Sequence, residues 1–426
     1  MQTAQLQPKI EHGLHAMRQD DYLAAMRQFT IFLRQIEPLT TKPHFHAARL
    51  EALAHLGTLQ NRMGRRDEAL ASFEQYVGEA RTARERAFGL SQLGLQTIRL
   101  DRLAAGLGLL EEALRQAESI NYSHGRAHAF LGLGVGLLHY GRHEEALTQI
   151  NTALSLFEQL ADRPEIARAG NVRGIIFAQQ GALDKAIQSF ITASDHAREL
   201  GRYDRAIILG NLGEAYQTLF DLEKALFTHR QALQLAAGTP IPTIGIDLRR
   251  NIGVTLCHLG KYEDGISYLE SSLAEARRYQ QGFLLGQIIV SLGLAECRRG
   301  NLTRAEEHGR MLLAQSEQHD QRARQAQALH LLGLCAGKRG DHETAEQQWQ
   351  QALFLAHETG QQALLWQIHA ALAKISTNTG LATTHWRIAW EVIEQIIYPI
   401  QDEKLRHTFL NAPAVREVRA HIQNQR

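Results

Sequence analysis

Only three cysteines occur in 426 residues, Cys257, Cys297 and Cys335, with no CxxC pair and no histidine at zinc-ligand spacing beside them. That scarcity excludes a disulfide or zinc framework and fits a reducing compartment. No stretch reaches eighteen uninterrupted apolar residues, so no membrane span is expected. The opening MQTAQLQPKIEHG lacks a charged segment leading into an apolar run, and the expected location is the cytoplasm. Charge of one sign is also missing: 46 Lys and Arg against 45 Asp and Glu leave +1, without the basic excess of a nucleic-acid binder. There is no GxSxG elbow, no HExxH and no period-two run of the kind a strand needs. No nucleophile, base and orienting residue can be nominated from spacing, so a non-enzyme without cofactor or metal is expected.

What is present is a pulse. NLGEAY at Asn211–Tyr216 and NIGVTL at Asn251–Leu256 share one frame forty residues apart. The same glycine recurs at Gly13, Gly57, Gly94, Gly134, Gly174, Gly213, Gly253, Gly293 and Gly333, with Ala373 in the tenth place. Seven residues on comes Gly64, Gly141, Gly181, Gly260, Gly300, Gly340 or Gly380, replaced by Asp20, Asp101 and Phe220 in three units. Twelve residues on comes a small residue: Ala25, Ala69, Gly106, Ala146, Ala186, Ala225, Gly265, Ala305 or Ala345. Glycine inside an apolar-periodic stretch costs about 1 kcal/mol of helix stability. Close approach of a second helix is the expected compensation. The second glycine precedes acidic starts such as GRRDEAL and GRHEEAL, the signature of a C-cap followed by a helix N-terminus with carboxylates at its positive end. Each unit therefore reads as helix, tight turn, helix. Pro38, Pro43, Pro164, Pro240 and Pro242 fall between units, where a helix can begin or end. Residues 1–380 form the expected array. In 381–426, His385–Ile397 reads as a helix with Trp386, Ala389, Trp390, Ile393 and Ile397 on one face, and short helices flanking Pro399 and Pro413 complete a C-terminal cap.

Several features imitate chemistry. GLGVG at Gly132–Gly136 lacks the preceding strand that a dinucleotide site requires. GLCAGKRG at Gly333–Gly340 has Arg where a phosphate loop has Ser or Thr, and lies at a helix end. His124 and His128 are four apart with no third ligand fixed by spacing, and Cys257 and Cys297 recur at one repeat position as small buried side chains.

Leu212-Gly213, Tyr216, Ala225 and Ala232, with Leu56-Gly57, Gly64, Ala69 and Phe73, resemble the tetratricopeptide repeat family over roughly Lys9 to Gly380. The period is forty rather than about thirty-four, and the closing proline is mostly missing, so longer helices are expected. The chain is similar to the long-repeat branch, with kinesin light chains, spindle-orientation adaptors and bacterial regulator arrays. The resemblance implies an all-α fold, a right-handed α-solenoid of about ten repeats. It also implies that the first helix of each unit lines a concave groove.

Basic residues concentrate in those first helices, beyond what the helix dipole explains at Arg126, Arg168, Arg173, Arg249 and Arg250. Family geometry points to residues two, three and six before the marker glycine and one after it. Asn211, Asn251 and Ser291 share one level, and Asn171, Arg250 and His330 the next. Arg168, Asp247, Gln287 and Gln327 lie deeper, and Glu214 lies just past its glycine. Amides can hold an extended peptide backbone and arginines its carboxylates. The expected function is a non-enzymatic scaffold binding a protein or peptide segment of acidic character along this groove. A peptide-sensing regulator that changes curvature is the second reading, with GTPIPTIG at Gly238–Gly245 as hinge. Self-assembly into a homo-oligomer is the third.

Overall fold

The computed structural model describes residues 2–37, 43–237, 239 and 241–423. Helices account for nearly all of them, and no strand occurs among the described residues. The first pairs are α1 (Gln2–Arg18) and α2 (Tyr22–Ile36), α3 (Pro43–Arg62) and α4 (Arg66–Glu79), and α5 (Ala83–Arg99) and α6 (Leu103–Ser119). Next come α7 (Ser123–His139) and α8 (His143–Gln159), α9 (Arg163–Gln179) and α10 (Leu183–His196), and α11 (Arg202–Thr218) and α12 (Leu222–Ala236). Then follow α13 (Pro242–His258) and α14 (Tyr262–Arg278), α15 (Gly282–Arg299) and α16 (Leu302–Gln318), and α17 (Arg322–Arg339) and α18 (His342–Glu358). The series ends with α19 (Gln362–Ile375) and α20 (Thr379–Ile397), then α21 (Glu403–Leu410) and α22 (Pro413–Gln423). This is an all-α solenoid of helix pairs.

Both sequence markers have a mechanical basis. A Cβ built on Gly13 would stand 2.7 Å from the Phe29 ring, on Gly57 2.8 Å from Phe73, and on Gly213 2.5 Å from His229. Each intruding side chain lies sixteen residues on, in the second helix of the same pair. Phe190 and Trp349 sit on Gly174 and Gly333 in the same way. The glycine thus opens a slot for a bulky core residue, whose burial contributes about 1.5–3 kcal/mol against the helix cost. At Ala373 the residue sixteen on is Ala389, so two small residues face each other. The turn marker is a left-handed residue, occupied by Gly64, Gly141, Gly181, Gly260, Gly300 and Gly340. Asp20, Asp101 and Phe220 adopt the same conformation at φ 59, 60 and 59°. Phe220, with a Cβ to accommodate, carries the largest conformational cost there. Gly380 departs from the expectation. It lies in the first turn of α20, its amide donating to the Asn378 cap at 2.9 Å, so the tenth pair turns through Ser376–Asn378 without a left-handed glycine.

The helix expected at His385–Ile397 begins earlier, at Thr379, and packs on α19 as its second helix, burying Trp386, Ala389, Val392 and Ile393. The short helices α21 and α22 follow. Pro43 and Pro242 open α3 and α13, and Pro164 lies in the first turn of α9. Pro38 and Pro240 lie outside the described residues, as does Gly238 of the expected hinge. Pro242–Gly245, its second half, is the first turn of α13.

The chain divides into two compact units: residues 1–180 with 186–209 and 234–241, and residues 181–185 with 210–233 and 242–426. Within the first, α5 packs on α7; within the second, α13 packs on α15 and α15 on α17. Among the described residues, the second helices of the first ten pairs make no comparable contact with one another. First helices therefore form the more tightly spaced, inner layer of each unit. The first unit also joins residues far apart in sequence. Asp20 accepts from the Tyr22 hydroxyl at 2.9 Å and the Arg202 amide at 3.4 Å, and Ile241 packs into the Ile10, Tyr22 and Phe29 core. In the second unit Asp184 accepts from the amides of Gln401 and Asp402 at 2.7 and 3.1 Å, and Phe220 meets Phe409.

Candidate functional site

On a helix, positions −6, −3, +1 and +5 from the marker glycine fall on one stripe, and on the first helices that stripe belongs to the inner layer. The second unit gathers four predicted residues there. The Arg250 guanidinium donates to Asp247 from Nε at 3.0 Å and approaches Glu214 at 3.4 Å. The Asn251 amide donates to the same Glu214 carboxylate at 2.9 Å, and beside it the Thr255 hydroxyl donates to Gln217 at 2.8 Å. These bonds cross from α13 to α11, so one network ties two repeats. Glu214's side chain is 47% exposed, yet its pKa is raised, first by desolvation and then by Asp247, against Arg250 and Asn251. Asn251, by contrast, is 2% exposed and is reached only through Glu214.

Arg168 lies in the first unit. It pairs with Glu165 on its own helix and with Asp204 at 3.6 Å, and Arg62 holds the same Asp204 at 2.6 Å. Burial lowers the Arg168 pKa, but Glu165 and Asp204 together raise it above the ordinary value. Both cations in the predicted set are therefore neutralised inside the chain, which removes them as free receptors for an acidic partner. Asn171 and Asn211 also have interaction partners. The Ser291 hydroxyl turns back to the Gln287 carbonyl at 2.9 Å, and the Gln327 amide donates to Gln361 at 3.2 Å. His330 is 4% exposed, and its Nδ1 has no hydrogen-bond partner. Burial, helped by Arg298, pushes its pKa down to about 4, so it is a neutral core residue under the stripe. Arg249 points elsewhere, to Glu275 of its own second helix at 2.7 Å.

Helix-dipole preference by itself accounts for basic residues at the ends of first helices. Arg298 shows what that omitted. It is exposed, yet its pKa is lowered chiefly by desolvation, and the groups that raise it are Cys257, Tyr262 and Cys297, with no carboxylate among them. Its Nη1 lies 3.4 Å from Nε2 of His258, held neutral by a pKa near 3 through burial and Arg298 itself. Lys338, one repeat on, donates to the Cys297 carbonyl at 2.7 Å. The signal was available: His258, Arg298 and Lys338 each stand five residues after a marker glycine. Of the decoys, His124 bonds Asp162 at 2.9 Å, and His128 is buried against Phe157. Among the described residues no group of three or more His, Cys, Asp or Glu is placed to hold a metal.

The slot glycine, the left-handed turn and the inner layer of first helices define the repeat, and residues 165–237 match the tetratricopeptide repeat family. The matched stretch is of tetratricopeptide type, and it belongs to the same series of helix pairs as the rest. No curated protein matches the sequence. The array of helix pairs resembles a Rap protein solved in complex with competence and sporulation factor, at 13% identity and TM-score 0.58, over 84% of this chain and 99% of that one. It resembles aspartyl phosphate phosphatase F from Bacillus subtilis at 13% and 0.56, over 91% and 94%. A third similar structure is the apo quorum sensor NprR from B. thuringiensis, at 13% and 0.55, over 83% and 99%. At such identities the likeness is one of fold. No helix among the described residues is long and apolar enough to cross a membrane.

Proposed function

We propose that this tetratricopeptide array is a non-enzymatic binding protein that takes a peptide or extended protein segment along the first helices of its second unit, around Glu214, Asp247, Arg250 and Asn251. The observation that carries this reading is the network spanning α11 and α13, in which Glu214 and Asp247 share a single arginine and keep exposed oxygens. A wall of that kind supplies acceptors for backbone amides, and Gln287 and Gln327 extend it with groups that both donate and accept. The exposed oxygens of Glu214 and Asp247 bury no core surface, so binding accounts for them better than stability does. Likeness in fold to a protein solved with competence and sporulation factor and to a quorum sensor supports a sensing role as the second reading.

A synthetic random heptapeptide pool incubated with the full-length protein tests this. Bound peptides, separated by gel filtration and read by mass spectrometry, should form a restricted set that Arg250→Glu loses while its helical circular dichroism stays intact. Recovery of no peptide, or the same set from the variant, would overturn the groove assignment.

A further inference from the structure

The inner stripe of the second unit carries two uncancelled charges of opposite sign. At its α11–α13 end, Glu214 and Asp247 present two carboxylates to one guanidinium, Arg250. The neutral Asn251 amide also donates to Glu214 at 2.9 Å. This end is left with about one negative charge, partly in contact with water.

At the α15–α17 end the balance reverses. Arg324 donates to the Phe283 carbonyl at 2.7 Å; four other arginines here are paired: Arg299 with Glu263 at 3.0 Å and Glu296 at 2.7 Å, Arg304 with Glu270 at 3.1 Å, Arg322 with Glu358 at 2.8 Å, and Arg339 with Glu306. Arg298 and Lys338 are not. Arg298 meets the neutral His258 ring at 3.4 Å, and Lys338 donates to a backbone carbonyl at 2.7 Å. Both lie on the same stripe as Glu214, at +5 against +1. A desolvated, exposed guanidinium with no counter-ion is unfavourable alone and becomes favourable when a carboxylate arrives.

We infer that the groove is bipolar, its Glu214–Asp247 end taking a cationic amino group and its Arg298–Lys338 end a carboxylate, so that its ligand is a short linear peptide bound in one direction. This rests on the peptide-binding reading and adds polarity and length to it. Neighbouring helices pack about 8–10 Å apart, so two repeats separate the ends by about 20 Å. An extended chain covers that in about six residues. The amine is either the peptide's own terminus or a basic side chain, and the carboxylate either its C-terminus or an acidic side chain. The same ion-pair chemistry serves both sources.

The test uses the full-length protein and four random heptapeptide pools: free at both ends, N-acetylated, C-amidated, and blocked at both. Bound peptide is quantified by equilibrium dialysis and mass spectrometry. Acetylation and amidation should each lower retention at least tenfold, and retained blocked peptides should carry Lys or Arg near the start and Asp or Glu near the end. Arg298→Gln with Lys338→Gln should abolish the preference at the carboxylate end only, and Glu214→Gln the preference at the amine end only, with circular dichroism unchanged. Retention of all four pools alike, with no charge preference at either end, overturns the polarity and leaves peptide binding standing. Retention of none removes both. A preference for the opposite direction, acid at Glu214 and base at Arg298, also overturns the inference.

Discussion

Two polar networks on first helices, built from the same residue types, have opposite characters. In the first unit Arg62, Asp204, Arg168 and Glu165 balance two cations against two anions, and three of the four side chains are under 20% exposed. The pairing joins α3 to α11, 142 residues apart. In the second unit Glu214, Asp247 and Arg250 do not balance, both carboxylates keep roughly a third to a half of their surface in water, and Arg298 stands unpaired. A balanced, buried network that bridges distant segments holds the fold. An unbalanced, wetted one is left for something outside the chain.

The largest expected effect breaks the first network. Arg62→Ala leaves Asp204 in a largely buried site with only the longer contact to Arg168, and should lower stability by about 3 kcal/mol, read by urea titration of helical ellipticity. A loss under about 1 kcal/mol would erase the contrast between the networks. Arg62→Ala with Asp204→Ala should cost less than the sum of the single changes, because the two share one interaction.

A second comparison concerns the slot on the marker glycine. The first unit fills it with Phe29, Phe73 and Phe190, whereas the second has His229 on Gly213, 0% exposed, with neither ring nitrogen hydrogen-bonded. Burial, with Arg250 adding to it, pushes its pKa down to about 4 from 6.5. The unfolded chain takes up a proton as pH falls through 6.5 while the folded core refuses it until about 4. Stability contributed here is therefore full above 6.5 and lost between 6.5 and 4. The loss should approach about 3 kcal/mol at the acid end. His229→Leu should flatten the stability–pH profile over that window; an unchanged profile would show that other histidines govern it.

Smaller effects sharpen the same contrast. Glu165→Gln should cost about 1 kcal/mol by loosening Arg168, whereas Glu214→Gln should change stability by less than about 0.5 kcal/mol because that pair is half exposed. Arg298→Gln should leave the melting temperature essentially unmoved, since no ion pair is lost. A clear destabilisation by Arg298→Gln would assign it a structural duty and weaken its place in the groove.

The repeat was legible in the sequence because its cause is local. A glycine that must admit a ring sixteen residues on, and a left-handed turn seven residues on, recur at fixed offsets whatever the neighbouring repeats do. The failure at Gly380 is equally instructive, since the Asn378 cap starts α20 early and a glycine in the expected place has another duty. Which predicted residues share a stripe was legible in the sequence, but their pairing and depth were not. Arg168 and Arg250 read as free cations because Asp204 and Glu214 lie a repeat or more away in sequence. His330 and Asn251 read as accessible because residue type does not report depth. Arg298 and Arg299 are alike as basic residues at one helix end, yet only the latter meets carboxylates.

By itself the sequence determined the all-α repeat, its period, its slot and turn residues, and which helix of each pair carries the polar stripe. These follow from offsets within one pair, where steric fit depends on residues at most sixteen apart. Only the tertiary structure decided which charges cancel, because cancellation is set by distances across helices from different repeats. That closed the network in the first unit and left both signs open in the second.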